Sequence, residues 1–119
     1  MNIEEFRDYC LSKNQVTESF PFDEETLVFK VAGKMFALAG LEHHPVTVSL
    51  KCDPEKALEL REEHEEISPG YHMSKMHWNT VIIDGGLSNK LIRELIDDSY
   101  NLVVKGMSKK QQKEFGLGS

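Results

Sequence analysis

No apolar run in this chain approaches the about 18 residues that a bilayer-spanning helix needs, so no membrane segment is predicted. The opening residues, Met1-Asn2-Ile3-Glu4-Glu5, have neither a basic start nor an apolar h-region, which predicts a cytoplasmic protein without a secretory signal. Cysteine is scarce. Cys10 and Cys52 are not spaced as a metal pair and are expected to be reduced thiols. Both fall on expected core faces, where a thiol behaves as a small inert hydrophobe. There is no Gly-x-Ser-x-Gly elbow, no Gly-Lys-Ser/Thr and no Gly-x-Gly-x-x-Gly; Gly85-Gly86 reads as a tight turn. Positive charge is also in deficit. A net charge of −6 argues against a generic, salt-driven nucleic-acid binder, which needs a basic surface. These absences predict neither an enzyme nor a cofactor.

What is present describes one domain, residues 1–119. Its 39% hydrophobic and 29% charged residues fit an ordinary globular protein. Charge is uneven: residues 1–28 and 52–68 are acidic, whereas 29–51 and 105–119 carry a local excess of lysine. Asn2 with Glu5 predicts a capped helix over about 3–13, followed by a connector over Val16 to Asp23. Thr26–Val31 and Met35–Ala39 read as a hairpin around Ala32-Gly33-Lys34. Val46 to Cys52 alternates, with Val46, Val48, Leu50 and Cys52 on one face and Thr47, Ser49 and Lys51 on the other. Asp53-Pro54 starts a helix to about residue 66. Its core stripe is Ala57, Leu60, His64 and Ile67, beside an exposed stripe of Glu55, Glu59, Glu62 and Glu66, with Lys56 and Arg61 softening the acid. A strand over about Trp78–Ile83, a helix over 89–104 capped by Ser88, and a short basic helix from Lys109 complete the chain. The order α-β-β-β-α-β(-β)-α predicts an α+β fold, a two-layer antiparallel sheet backed by helices.

Residues 69–80, Pro69-Gly70-Tyr71-His72-Met73-Ser74-Lys75-Met76-His77-Trp78-Asn79-Thr80, hold the single tryptophan and two of the five histidines. His72 and His77 are five apart, which suits neither a helical nor a strand ligand pair, and His43-His44 has no carboxylate at ligand spacing, so no metal site is predicted. Lys30, Thr47, Ser49 and Lys51 are expected on a polar sheet side, Lys34 in a hairpin turn, and Lys75, His77 and Trp78 in the loop before the last strand. Such lysines can contact phosphates and such aromatics can stack on bases. Equally, Trp78, Tyr71 and Met73 can cap the end of the core. A third reading is a pocket lined by Tyr71, His72, His77 and Trp78.

Four separated runs resemble the MmcQ/YjbR-like family of small bacterial proteins. They are Pro21-Phe22-Asp23 with Thr26-x-Val28-Phe29-Lys30-Val31-x-Gly33-Lys34-Met35-Phe36-Ala37-Leu38; Val48-x-Leu50-Lys51-Cys52-Asp53-Pro54-Glu55; Pro69-Gly70-Tyr71-His72-Met73-x-Lys75-x-His77-Trp78-Asn79-Thr80-Val81; and Ser99-Tyr100-x-Leu102-Val103. The resemblance implies a fold like that of secretion chaperones, with a double-wing arrangement described as DNA-binding. It maps the family's lysines to Lys30, Lys34, Lys51 and Lys75, and its aromatic and imidazole residues to Tyr71, His72, His77 and Trp78. It brings no catalytic residues. The partner expected is DNA or, alternatively, another protein in the manner of a chaperone or adaptor.

Overall fold

The computed structural model describes residues 1–42, 44–70 and 73–118. Its first element is set by a cap. The Glu5 amide donates to Asn2 Oδ1 at 2.8 Å and the Asn2 amide donates to Glu5 Oε1 at 3.2 Å. This capping box starts α1 (Ile3–Leu11), which buries Phe6 and Cys10. The stretch expected to be a connector opens instead with a strand, β1 (Val16–Ser19), antiparallel to β2 (Thr26–Val31). Four residues of mixed polarity give too little alternation to announce a strand, and shortness with a charge is how an edge strand avoids further pairing. β2 turns into β3 (Lys34–Gly40) through two residues rather than three. Ala32 (φ 49°) and Gly33 (φ 85°) are both left-handed, as the tightest hairpin turn requires, and Lys34 already pairs with Val31. β4 (Thr47–Lys51) keeps the expected alternation: Val48 and Leu50 are buried, Thr47, Ser49 and Lys51 half-buried.

The next helix, α2 (Pro54–Glu63), starts as expected at Asp53, whose side chain accepts from the Lys56 amide. It buries Ala57 and Leu60 and exposes Glu55, Glu59 and Glu62. The expected stripe runs too far. His64 leaves the helix (φ −131°, ψ 121°), Glu66 is half-buried in the turn that follows, and Ile67 opens β5 (Ile67–Pro69) opposite Val81 of β6 (Trp78–Ile82). A buried isoleucine suits a helix stripe and a strand equally well, and sheet pairing decides between them. α3 (Asn89–Lys105) is capped by Ser88 and α4 (Lys109–Glu114) by Ser108. The sheet order is β1-β2-β3-β4-β6-β5, every neighbour antiparallel. Phe6 and Cys10 of α1, Ala57 and Leu60 of α2, and Ile92, Leu95, Ile96 and Val103 of α3 form one cluster with Phe29, Phe36, Val48 and Val81 of the sheet. That covers one sheet face with helices, as an α+β layer should.

One buried hydroxyl sutures the layers. The β3–β4 ladder starts at Ala37 opposite Leu50, leaving the Phe36 carbonyl and the Lys51 amide one step beyond it. Ser99 of α3, fully buried, donates to the Phe36 carbonyl at 2.5 Å and accepts from the Lys51 amide at 2.9 Å. Ser99→Ala strands both groups, so it is expected to lower stability by about 2 kcal/mol. Urea unfolding of the two proteins measures this, and a decrease below about 0.5 kcal/mol would show that the pair is satisfied in another way.

Candidate nucleic-acid interface on the open sheet face

Residues directly opposite one another in a sheet share a face. One row away from the helices runs Ser19, Val28, Leu38, Ser49, Thr80 and Ser68; a second runs Thr26, Gly40, Thr47 and Ile82. At the other end lie Thr17, Lys30 and Met35 in register, and Lys51 opposite Trp78. None of these strand residues is Asp or Glu. The acidic residue of β1, Glu18, pairs with Arg7 of α1 at 2.8 Å, on the helix side. Lys34 stands exposed at the hairpin; Lys75 and His77, also exposed, lie in the segment leading into β6; Lys30 and Lys51 are half-buried. The fold therefore gathers Lys30, Lys51, Lys75 and His77 toward one end of the open face, and the hairpin at that end carries Lys34, which register with the core residue Val31 puts on the helix side of the sheet. The opposite end, beyond Thr26 and Gly40, is flanked by Asp23, Glu24, Glu25 and Glu42.

The middle of this face departs from the expected polar side. Val28 (0% exposed), Leu38 (9%) and Trp78 (8%) make a second apolar cluster, with Met35 and Met73 packed against it. Trp78 sits on β6 and Leu38 on β3, so the cluster spans across β4. The indole is a buried pillar here and does not offer its ring to a base. Of the expected pocket, Tyr71 and His72 lie outside the described residues, as does His43 of the histidine pair. The other two residues of that pocket part company, His77 exposed and Trp78 buried, and neither lines the cavities at Cys52.

The segment before β6 is held by backbone and by one arginine. The His77 and Trp78 amides donate to the Ser74 carbonyl at 3.1 and 2.9 Å, and the Cys52 amide donates to the His77 carbonyl at 2.7 Å. Arg61 of α2 donates through Nε to Asn79 Oδ1 at 2.7 Å and through Nη2 to the Lys75 and Trp78 carbonyls. Its place in the sequence suggests only that it softens the acidic stripe. The tie it makes is tertiary and leaves no mark in local sequence. Gly70 is required by close approach: a Cβ there would lie 2.8 Å from Trp78 Cβ.

Burial pushes the Cys10 thiol up to about 12, with Lys13 pulling weakly the other way. Burial also raises Cys52. Both are free and buried, so neither supplies a thiolate near neutral pH. Among the described residues no group of three His, Cys, Asp or Glu side chains is placed to hold a metal ion, and no helix is long and apolar enough to cross a membrane.

The family model described as YjbR matches residues 11–102. The chain is 44% identical over 99 residues to the protein YbdF of Escherichia coli O157:H7, covering 83% of this chain and 81% of that one. It is 34% identical over 113 residues to YjbR of Escherichia coli K12, covering 95% and 96%. Among solved structures, a Deinococcus radiodurans protein with the DUF419 domain superposes with a TM-score of 0.93 at 44% identity, covering 98% of this chain and 89% of that one. A Pseudomonas syringae protein superposes at 0.75 with 33% identity, covering 86% and 98%.

Trp78→Ala removes the largest member of the second cluster and is expected to cost about 3 kcal/mol in urea unfolding. A decrease under about 1 kcal/mol would mean that the indole is not buried in solution. Iodoacetamide at pH 8 should leave both cysteines of the native protein unmodified while alkylating the urea-unfolded chain completely; rapid native labelling of either thiol would contradict its burial.

Proposed function

We propose that this chain, a member of the YjbR family, is a non-catalytic module that binds the phosphate backbone of DNA with the basic end of its open sheet face. The observation that supports this is the segregation of charge. A protein of net charge −6 keeps Asp and Glu off the open-face strand positions and gathers Lys30, Lys51, Lys75 and His77 at one end of them, with Lys34 exposed on the adjoining hairpin. Phosphate contacts need donors and positive charge but no base-reading geometry, so a handful of lysines on a rigid sheet is sufficient. The β2–β3 hairpin then acts as a wing that carries Lys34, and the turn before β6 carries Lys75. Trp78 serves as the buried support under both. A DNA ligand agrees with a cytoplasmic location.

A second reading rests on the other end of the face. Phe20 (47% exposed), Phe22 (64%) and Leu41 (39%) are large apolar side chains left in water, and the Leu41 amide donates to the Glu25 carbonyl at 2.8 Å, which draws the two loops together. This is the kind of surface on which a protein partner docks, as in a chaperone or adaptor.

Salt-dependent titration with duplex DNA separates these readings. The wild type is expected to bind with a salt slope that reports a few phosphate contacts. Combining Lys34→Ala with Lys75→Ala should weaken binding to every sequence and reduce the slope by about one for each phosphate that is no longer neutralised. The matched pair Lys109→Ala with Lys110→Ala, on the basic α4, should leave binding unchanged. Absence of binding at low salt, or weakened binding in the α4 pair alone, would sink the open-face reading; the first result would shift weight to the protein-interaction module.

A further inference from the structure

On the helix side of the sheet, behind the basic end of the open face, a cleft of about 290 Å³ opens between the start of α2 and the second half of α3. Cys52, Asp53, Lys56, Asp98, Leu102 and Lys105 line it. A recess of about 10 Å³ meets it at Cys52 and Asp98 and is lined also by Asn79. Asn79 is 2% exposed. Its orientation is fixed by Arg61, whose Nε donates to Oδ1 at 2.7 Å. A guanidinium only donates, so the amide oxygen must face it and the NH₂ must face elsewhere. Among the described residues that NH₂ has no hydrogen-bond partner. A buried amide donor without an acceptor is unfavourable and calls for an explanation. The acidic residue of the recess lining, which also includes Lys51 and the Cys52 thiol, is Asp98, whose Oδ2 accepts from Lys56 Nζ at 2.5 Å.

The recess thus presents one donor, Asn79 Nδ2, and one acceptor, the Asp98 carboxylate. It has room for roughly one water-sized group, while the cleft in front can take a larger body. The charged groups around the cleft balance, Lys56 and Lys105 against Asp53 and Asp98. A carboxylate ligand would meet Asp98 at the recess, and an amine would find no acceptor at Asn79 Nδ2. We propose that the cleft binds a small neutral molecule with an amide-like edge, a carbonyl oxygen beside an N–H. The carbonyl oxygen enters the recess and accepts from Asn79 Nδ2, the N–H donates to Asp98, and the apolar body lies against Leu102 and the methylene stems of Lys56 and Lys105. This site is independent of the DNA reading and stands or falls without it.

The test is an NMR titration of the full ¹⁵N-labelled chain with δ-valerolactam, which carries that edge, and with N-methyl-δ-valerolactam, which lacks the N–H. The lactam is expected to shift the Asn79 side-chain NH₂ and the amides of Cys52, Lys56 and Leu102 saturably, and the N-methyl compound to bind at least about tenfold more weakly, as removal of one hydrogen bond to a charged group implies. Asn79→Asp keeps the acceptor for Arg61 but removes the donor and should weaken the lactam to a similar extent. Leu102→Trp, at a half-exposed position, fills the cleft and should abolish binding while the remaining spectrum stays native; it decides the matter should Asn79→Asp fail to fold. No saturable shift up to the solubility of the lactam, equal affinity for both compounds, or undiminished binding by Leu102→Trp would overturn the proposal and leave the recess as the seat of a single water.

Discussion

With the helices packed on one side of a six-stranded sheet, the other face must exclude water from its own centre, and it does so around one indole. Trp78 reaches over β4 toward Leu38 and Val28, and Met35 and Met73 close around it. The position of that ring is fixed from both chain directions. Upstream, Gly70 leaves space where any side chain would strike Trp78 Cβ. Downstream, β6 pairs with β4 and β5 at once, Lys51 directly opposite Trp78. The polar groups of the basic end hang on this support: the half-buried Lys51 by register, the exposed Lys75 and His77 by the turn closed on the Ser74 carbonyl. A large buried aromatic can anchor such an arrangement because its burial removes more apolar area from water than any other side chain offers.

Net charge is a poor guide to what such a surface can hold. Screening at physiological ionic strength limits an exposed charge to about 8 Å, so a phosphate brought to the open face would respond to the lysines there and hardly to the acidic face of α2 on the far side. Glu55, Glu59 and Glu62 stand exposed on that helix, and Glu18 is tied to Arg7. What remains near Lys30, Lys34 and Lys51 on the strands is Thr, Ser and apolar side chains. The acid-flanked end beyond Thr26 gives the face a direction, basic at one end and acidic with exposed phenylalanines at the other. That polarity suits an anionic partner approaching the hairpin end.

Local chemistry is legible in the sequence wherever it decides structure. Asn2 with Glu5, Asp53-Pro54, Ser88 and Ser108 each mark a helix start because an unpaired amide must find an acceptor, and the alternation of β4 shows which side is buried. Elements whose existence depends on a distant neighbour are not legible. β1 is a strand because β2 lies beside it, and Ile67 leaves the helical stripe because Val81 is there to pair with. The candidate site divides in the same way. Its lysines are readable as polar positions on strands and turns. The burial of Trp78, the suture at Ser99, the reach of Arg61 and the unpaired amide of Asn79 arise only when residues far apart in the chain meet.

Adjacent residues of β6 join the two sides of the sheet. Strand alternation sends Trp78 to the open face and Asn79 to the helix side, and Arg61 holds both, the first by its carbonyl and the second by its side-chain oxygen. The same guanidinium holds the Lys75 carbonyl. A planar, fixed fork shared among three acceptors resists moving any one of them alone. The turn that presents Lys75 and the amide that lines the recess are therefore parts of one rigid unit, built on a helix whose outer face is acidic and whose inner end supplies the arginine. In physical terms Arg61 makes the basic end of the open face and the cleft on the other side a single structure, and Lys51 belongs to both, as a residue of the basic end and of the lining of the recess.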